Sequence, residues 1–249
     1  MDYSIIVPAY NEQVLLPATL RRLNDIRAAL RPEFVGEIIV VDNNSTDRSA
    51  EIAKENGAVV VFESRNCIAL ARNRGAESAR GKYLIFVDAD TLPPESLVRT
   101  ALRKMRDEHV CGGGTTIEFD GKLPWPMRFM SWGWHQFIKL FPSAAGSFVF
   151  CLRTAWHDTG GFDTNMYAAE EVKFSYALRR WGKKHDQRFV VLDIPVVTSD
   201  RKVGQFGSWK IMLTVLKIAL FPPLAKKKSA CSAWYERADD HPPSTPPAS

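Results

Sequence analysis

The sequence predicts an α/β fold built on a mostly parallel central sheet with helices on both faces. Three observations carry this prediction. Short apolar runs alternate four times with segments of helical periodicity before residue 110, the pattern of a doubly wound sheet. Three of the runs end in polar clusters, after Val7, Val41 and Val87; parallel strands bring such ends to one edge, where ligands of open α/β sheets bind. The run Tyr83-Leu84-Ile85-Phe86-Val87 stops at Asp88-Ala89-Asp90. Two carboxylates held close repel, and a hard cation relieves the repulsion; magnesium commonly takes one or two protein carboxylates with phosphate oxygens. An extended backbone would set residues 88 and 90 on the same side. Taken alone, the pair reads first as a solvated strand end, where Asp is common.

Each element has its own reason. Ser4-Ile5-Ile6-Val7 reads as a buried strand stopped at Pro8, which cannot donate to a ladder. In the loop that follows, Asn11 is placed to cap a helix and Glu12 suits its first turn. Leu16, Leu20, Leu23 and Leu30 give that helix one apolar face. Glu37–Val41 is the second strand, and in the turn Asp42-Asn43-Asn44-Ser45-Thr46-Asp47 either Thr46 or Asp47 is placed to cap a helix ending at Asn56-Gly57. Ala58–Phe62 is the third strand, and a short helix through Ala71-Arg72-Asn73-Arg74-Gly75 precedes the Tyr83–Val87 strand. Pro93-Pro94-Glu95 opens a helix with the buried stripe Leu97, Ala101, Leu102 and Met105. Further on come a glycine-interrupted strand over Val110–Phe119, a helix over Pro126–Leu140 with Trp132, Trp134 and His135, and a strand over Ser147–Leu152. A helix over Glu170–Trp181 and a strand over Arg188–Val197 complete this half.

Composition narrows the partners. With 249 residues and 45% hydrophobic content, the chain can bury one good core. The formal net charge of +5 suits anionic partners such as nucleotides, phosphosugars or a membrane surface. Nucleic acid is disfavoured, because the basic residues form no aromatic-interleaved stripe. Cys67, Cys111, Cys151 and Cys231 lack zinc or redox spacing, which favours a reducing compartment. Nothing at the N-terminus reads as a leader and no apolar segment reaches spanning length, so a cytoplasmic location is expected, with the cytoplasmic face of a membrane as the variant of that expectation.

The motifs Ile5-Ile6-Val7-Pro8-Ala9-Tyr10-Asn11-Glu12, Val40-Val41-Asp42, Ala71-Arg72-Asn73-Arg74-Gly75, Phe86-Val87-Asp88-Ala89-Asp90, Gly160-Gly161-Phe162-Asp163 and Glu170-Glu171, in this order, resemble those of the inverting family 2 glycosyltransferases of the GT-A fold. The resemblance covers about residues 3 to 200 and implies sugar transfer from a nucleotide-diphosphate donor, such as a UDP- or GDP-sugar, to an acceptor hydroxyl. It implies that Pro8, Ala9, Tyr10 and Glu12 line the nucleotide, that Asp42 accepts a hydrogen bond from the base or ribose, and that Arg72 stands near the base or diphosphate. Asp88 is expected at the ribose or at water on the metal, Asp90 at Mg²⁺ or Mn²⁺, and Glu171 as the catalytic base. The plainer readings are an Asx turn for Asp42, a solvated helix charge for Arg72, and acids favouring a helix N-terminus for Glu170 and Glu171. Many family members have a later His as a metal ligand; here Val197-Thr198-Ser199-Asp200-Arg201-Lys202 has none, leaving Asp200 as a substitute ligand or Arg201 and Lys202 as neutralisers of the diphosphate.

The expected organisation is a catalytic domain over 1–205, with a nucleotide-sugar half at 1–109 and an acceptor half at 110–205. An apolar and basic helix follows over 206–228, then a disordered tail over 229–249. From Gly207 to Leu220 the helix is mostly apolar, Lys210, Thr214 and Lys217 share one face, and Lys226-Lys227-Lys228 follow. This suits peripheral membrane contact and a lipid-linked, glycan or small-molecule acceptor; docking on the catalytic domain and a homodimer contact are the alternatives. A catalytically degenerate nucleotide-binding module is the other functional reading. A nucleotidyltransferase would need a glycine- and lysine-rich first loop, which Pro8–Glu12 is not.

Overall fold

The computed structural model describes residues 1–119, 125, 128, 133, 142–144, 146–198, 208–231 and 235. The expected alternation is present: β1 (Tyr3–Ala9), α1 (Leu16–Leu30), β2 (Gly36–Asp42), α2 (Ser49–Glu55), β3 (Val59–Phe62), α3 (Ile68–Ser78), β4 (Tyr83–Val87), a short β5 (Thr91–Leu92) and α4 (Glu95–Asp107). Then come β6 (Val110–Phe119), β7 (Phe148–Leu152), α5 (Arg153–Thr159), α6 (Glu170–Lys184), β8 (Arg188–Thr198) and α7 (Ser208–Leu220), with two 3₁₀ turns at Pro222–Lys226 and Lys228–Cys231.

These strands form one sheet in the order β3-β2-β1-β4-β7-β6-β8-β5. β1 pairs in parallel with both β2 and β4, and β2 with β3. β7 runs antiparallel between β4 and β6, and β5 antiparallel against β8. The sheet is therefore mostly parallel but mixed: the second half does not extend the βα alternation. Every residue of β1 and of β4 is buried, so both sheet faces are covered, as such strands require. The C-terminal ends of β1, β2 and β4 reach one edge.

Several local expectations shift. β1 runs through Pro8 to Ala9, because beyond Ile6 it pairs only with β2, and the missing N–H costs no ladder bond on the open side. Asn11 does not cap α1, which starts at Leu16; it has φ 50 and accepts from the Thr46 N–H instead. Neither Thr46 nor Asp47 is the N-cap of α2, which is Arg48, although Asp47 accepts from the Ser49 N–H at 2.9 Å. The Pro126–Leu140 helix, with Trp132, Trp134 and His135, lies outside the described residues apart from Arg128 and Gly133.

Two glycines are needed for close approach. A Cβ at Gly75 would collide with Ile6 and lie 2.9 Å from Val41, so α3 sits tight against β1 and β2 and carries Arg72 down to the sheet edge. Gly113, paired with Phe150 on β7 and Val190 on β8, has no room for a Cβ, which would meet the Val190 carbonyl and lie 2.6 Å from the Phe150 ring. Gly113→Ala should lower unfolding free energy by about 1–3 kcal/mol through overpacking, measured by urea titration. An unchanged midpoint would mean that β6 and β8 separate freely here.

Candidate active site

The site is built where β1, β2 and β4 end. Asp42 closes β2 opposite Ala9 and is 8% exposed. One of its carboxylate oxygens accepts from the Ser45 N–H at 2.9 Å, so it makes the turn contact expected of an Asx residue. The loops after β1 and β2 are laced together: the Asn11 N–H donates to Ser45 Oγ, the Glu12 N–H to Ser49 Oγ at 2.8 Å, and the Gln13 N–H to Asp47 Oδ2 at 2.9 Å. Asn43 ties this wall to the segment before α3, donating to the Glu63 and Arg65 carbonyls and accepting from the Cys67 N–H. Pro8, Ala9 and Glu12 are buried and Tyr10 is half-buried.

Asp88 and Asp90 are not on an extended strand. β4 ends at Val87, and a turn closed by the Thr91 N–H on the Asp88 carbonyl at 3.1 Å carries both carboxylates. The buried Ala89 carbonyl is held by Thr19 Oγ1 at 2.7 Å. The two acids accordingly meet different partners. Asp90 lies 3.5 Å from the hydroxyls of Thr91 and Thr198, at the end of β8. Asp88 faces inward and accepts from Arg72 Nη2 at 2.9 Å.

Arg72 is not a solvated helix charge. Its side chain is 1% exposed, and both terminal nitrogens of its guanidinium bond inside the protein. Nη1 donates to Glu170 at 2.7 Å, Nη2 also to the Gly146 carbonyl at 2.8 Å, and the Phe162 ring packs 5.3 Å from its centre. A buried cation needs such partners, since losing water without them is costly. Burial opposes its charge, but Asp88, Glu170 and Glu171 outweigh this and hold the guanidinium above its ordinary pKa.

The acids of α6 are unequal. Glu170 is buried and bonded to Arg72; burial raises its pKa while Arg72 pulls it down. Glu171 is half-buried beside Gly146. Burial, reinforced by the charge of Glu170, pushes Glu171 up to about 8. One cation among three carboxylates leaves an excess of negative charge, and the pKa values of both Glu170 and Glu171 are raised.

The turn at Gly160-Gly161 delivers Phe162 to this cluster. Asn73 of α3 holds it by accepting from the Phe162 N–H at 3.0 Å and donating to the Phe162 carbonyl at 2.8 Å. Phe162 packs on Phe86 and Phe174. The structural roles of Asn73, Phe162 and Gly146 do not appear in sequence reasoning, although two of them stand inside quoted motifs.

Among the described residues no group of three or more His, Cys, Asp or Glu could hold a metal ion. Asp90 supplies one carboxylate of the kind that magnesium takes together with substrate phosphate oxygens, whereas Asp88 is bonded to Arg72. Ser199, Asp200, Arg201 and Lys202 lie outside the described residues.

Comparisons with known proteins bear on the fold and the family. The undecaprenyl-phosphate 4-deoxy-4-formamido-L-arabinose transferase of Pseudomonas paraeruginosa is 34% identical over 142 residues, covering 51% of this chain and 40% of that protein. The dolichyl-phosphate beta-glucosyltransferase of Drosophila melanogaster is 33% identical over 126 residues, 43% of this chain and 37% of that one. The alignments thus span less than half the length of these curated relatives. Among solved structures, the mannosyltransferase PcManGT of Pyrobaculum calidifontis, in complex with GDP-Man and Mn²⁺, superposes with a TM-score of 0.67 at 21% identity, covering 95% of this chain and 70% of that one; this likeness supports the GT-A type fold. Residues 4–156 match the family model described as Glycosyl transferase family 2. The chain belongs to glycosyl transferase family 2.

Proposed function

We propose that this chain transfers a sugar from a nucleotide-diphosphate donor to an acceptor hydroxyl with inversion, assisted by Mg²⁺ or Mn²⁺. The observation that carries the reading is the convergence of Asp42, Asp88, Asp90 and the Glu170–Glu171 pair on one sheet edge, braced by Arg72. The Pro8–Glu12 loop and Asp42 form the nucleotide side, with Tyr10 half-buried next to it. Asp90 would hold the metal, and Asp88, oriented by Arg72, would serve the ribose side. When bound there, the ion would supply Lewis-acid neutralisation of the departing diphosphate. Glu171 takes the acceptor proton, because Glu170 is committed to Arg72 and adjacent helical residues diverge by about 100°. With its pKa near 8, Glu171 is poised for proton transfer near neutral pH.

Polyprenyl-phosphate names recur among the relatives, which supports a lipid-linked acceptor, and the GDP-Man and UDP complexes of structures with this fold support a GDP- or UDP-sugar donor. A polyprenyl phosphate would attack through its ionised phosphate oxygen and need no base, so the role of Glu171 belongs to a hydroxyl acceptor. Incubation with UDP- or GDP-sugars, Mn²⁺ and, in separate reactions, a hydroxyl-bearing lipid-linked glycan or a polyprenyl phosphate, followed by product detection, tests this reading and tells the two acceptor chemistries apart. Hydrolysis or transfer with none of them would favour the degenerate nucleotide-binding module.

Asp90→Ala should abolish turnover and remove the gain in nucleoside diphosphate binding that Mn²⁺ gives, measured by calorimetry with and without the ion. An unaltered Mn²⁺ gain would put the metal elsewhere. Glu171→Gln should keep nucleotide binding and lose about 10²–10⁴-fold in rate, the usual worth of a general base; full activity would move the base to another residue. The same variant has a stability signature. Because folding raises the Glu171 pKa from 4.5 to about 8, the folded state holds the extra proton and stability falls as pH rises across that window. The melting temperature of Glu171→Gln relative to the parent should therefore climb between about pH 5 and 8 and then level off. A constant difference would show that Glu171 titrates normally.

A further inference from the structure

We infer that the outer face of α7 is a docking surface for an anionic lipid bilayer. Trp209, Leu213, Leu216 and Leu220 recur along α7 at helical spacing and are 55%, 47%, 50% and 66% exposed. They form one narrow stripe facing solvent. The stripe continues into Phe221, 64% exposed, and is joined by Trp125, 69% exposed, whose ring meets Trp209 edge-on at 5.6 Å. The opposite side of the helix is already seated: Ile211 is buried, and Ile218 packs on the cluster of Ala168, Cys231 and Tyr235. Lys217, also exposed, lies at the flank of the stripe. An apolar row of this size facing water marks an interaction surface.

Charge selects the occupant. Lys217 is exposed at the flank of the apolar row, and Lys226 and Lys227 are exposed in the turn that follows it, whereas Lys228 lies over the Tyr235 ring on the seated side. A second copy of the chain would bring the same positive charges against them. An anionic leaflet instead offers a complementary surface for lysines, an apolar phase for leucines and an interfacial layer for the tryptophans. No helix among the described residues is long and apolar enough to cross a membrane, which agrees with a helix lying in the interface. The platform is also latched next to the candidate site. The Tyr167 N–H donates to the Ala225 carbonyl at 2.7 Å, and the Ile68 N–H donates to the Tyr235 hydroxyl at 3.4 Å. Docking would thus hold residues 167–169, which lead into Glu170 and Glu171, close to the bilayer surface. The inference does not rest on the transfer reaction.

The full chain should float with vesicles of phosphatidylcholine and phosphatidylglycerol at 3:1 (about 25% anionic lipid) and bind pure phosphatidylcholine at least tenfold less. Leu213→Glu with Leu216→Glu should reduce binding to the anionic vesicles at least tenfold while leaving the thermal melt unchanged, since both side chains face solvent. Lys226→Glu with Lys227→Glu should also weaken binding, with the loss greatest at low salt. Vesicle binding that survives the leucine substitutions would overturn the inference. So would failure of the parent to bind, or a concentration-dependent dimer that the leucine variant abolishes in the absence of lipid.

Discussion

The architecture of the site depends on one buried guanidinium. Arg72 reaches from α3 to the end of β4 through Asp88, to the first turn of α6 through Glu170, and to the Gly146 carbonyl. These partners are 16, 98 and 74 residues away along the chain, so no local preference aligns them. Burying such a charge network is costly, and removing a single partner typically costs about 3–5 kcal/mol because the others stay buried and uncompensated. The brace therefore ties the geometry of the acids to the integrity of the fold. It also makes them unequal: Asp88 and Glu170 are bonded to Arg72 and held in place, while the pKa of the neighbouring Glu171 is raised by burial and by the charge of Glu170.

The two sides of the edge are built differently. On the side of β1 and β2, backbone N–H groups of the first loop bond to Ser45, Asp47 and Ser49 of the second, giving a wall of short, mutually satisfied turns. On the side of β4, the sheet changes character. β7 enters antiparallel next to β4, and β6 and β8 follow it. This inserts a seam in the sheet beside Asp88, where the Asp88 N–H donates to the Ser147 carbonyl at 3.3 Å. Asp90 then looks toward Thr198 at the end of β8, joining the first half of the chain to the second.

The C-terminal segment returns to this region from outside. Its 3₁₀ turns and Tyr235 pack on Ala168 and Tyr167, directly ahead of α6. Apolar burial holds the inner side of α7 and leaves the outer stripe facing solvent, an arrangement that a helix apolar on nearly every face produces when only one side finds a protein partner.

Much of this was legible in the residues themselves. Apolar runs of strand length, leucines at helical spacing and polar clusters after Val41 and Val87 determined the βα order, the parallel first half and the edge where the carboxylates gather, because these follow from local periodicity and burial. The pairing of β7 against β4 was not legible, since antiparallel insertion leaves no periodic mark on a five-residue strand. Nor was the continuation of β1 through Pro8, which depends on where β4 stops pairing. The tertiary structure alone decided that Asp88 and Asp90 sit on a turn with separate partners, that Arg72 is an internal brace, and that Glu170 is tied to it while the pKa of Glu171 is raised. Those outcomes are set by burial and by charges brought together from distant parts of the chain, and neither can be read from spacing.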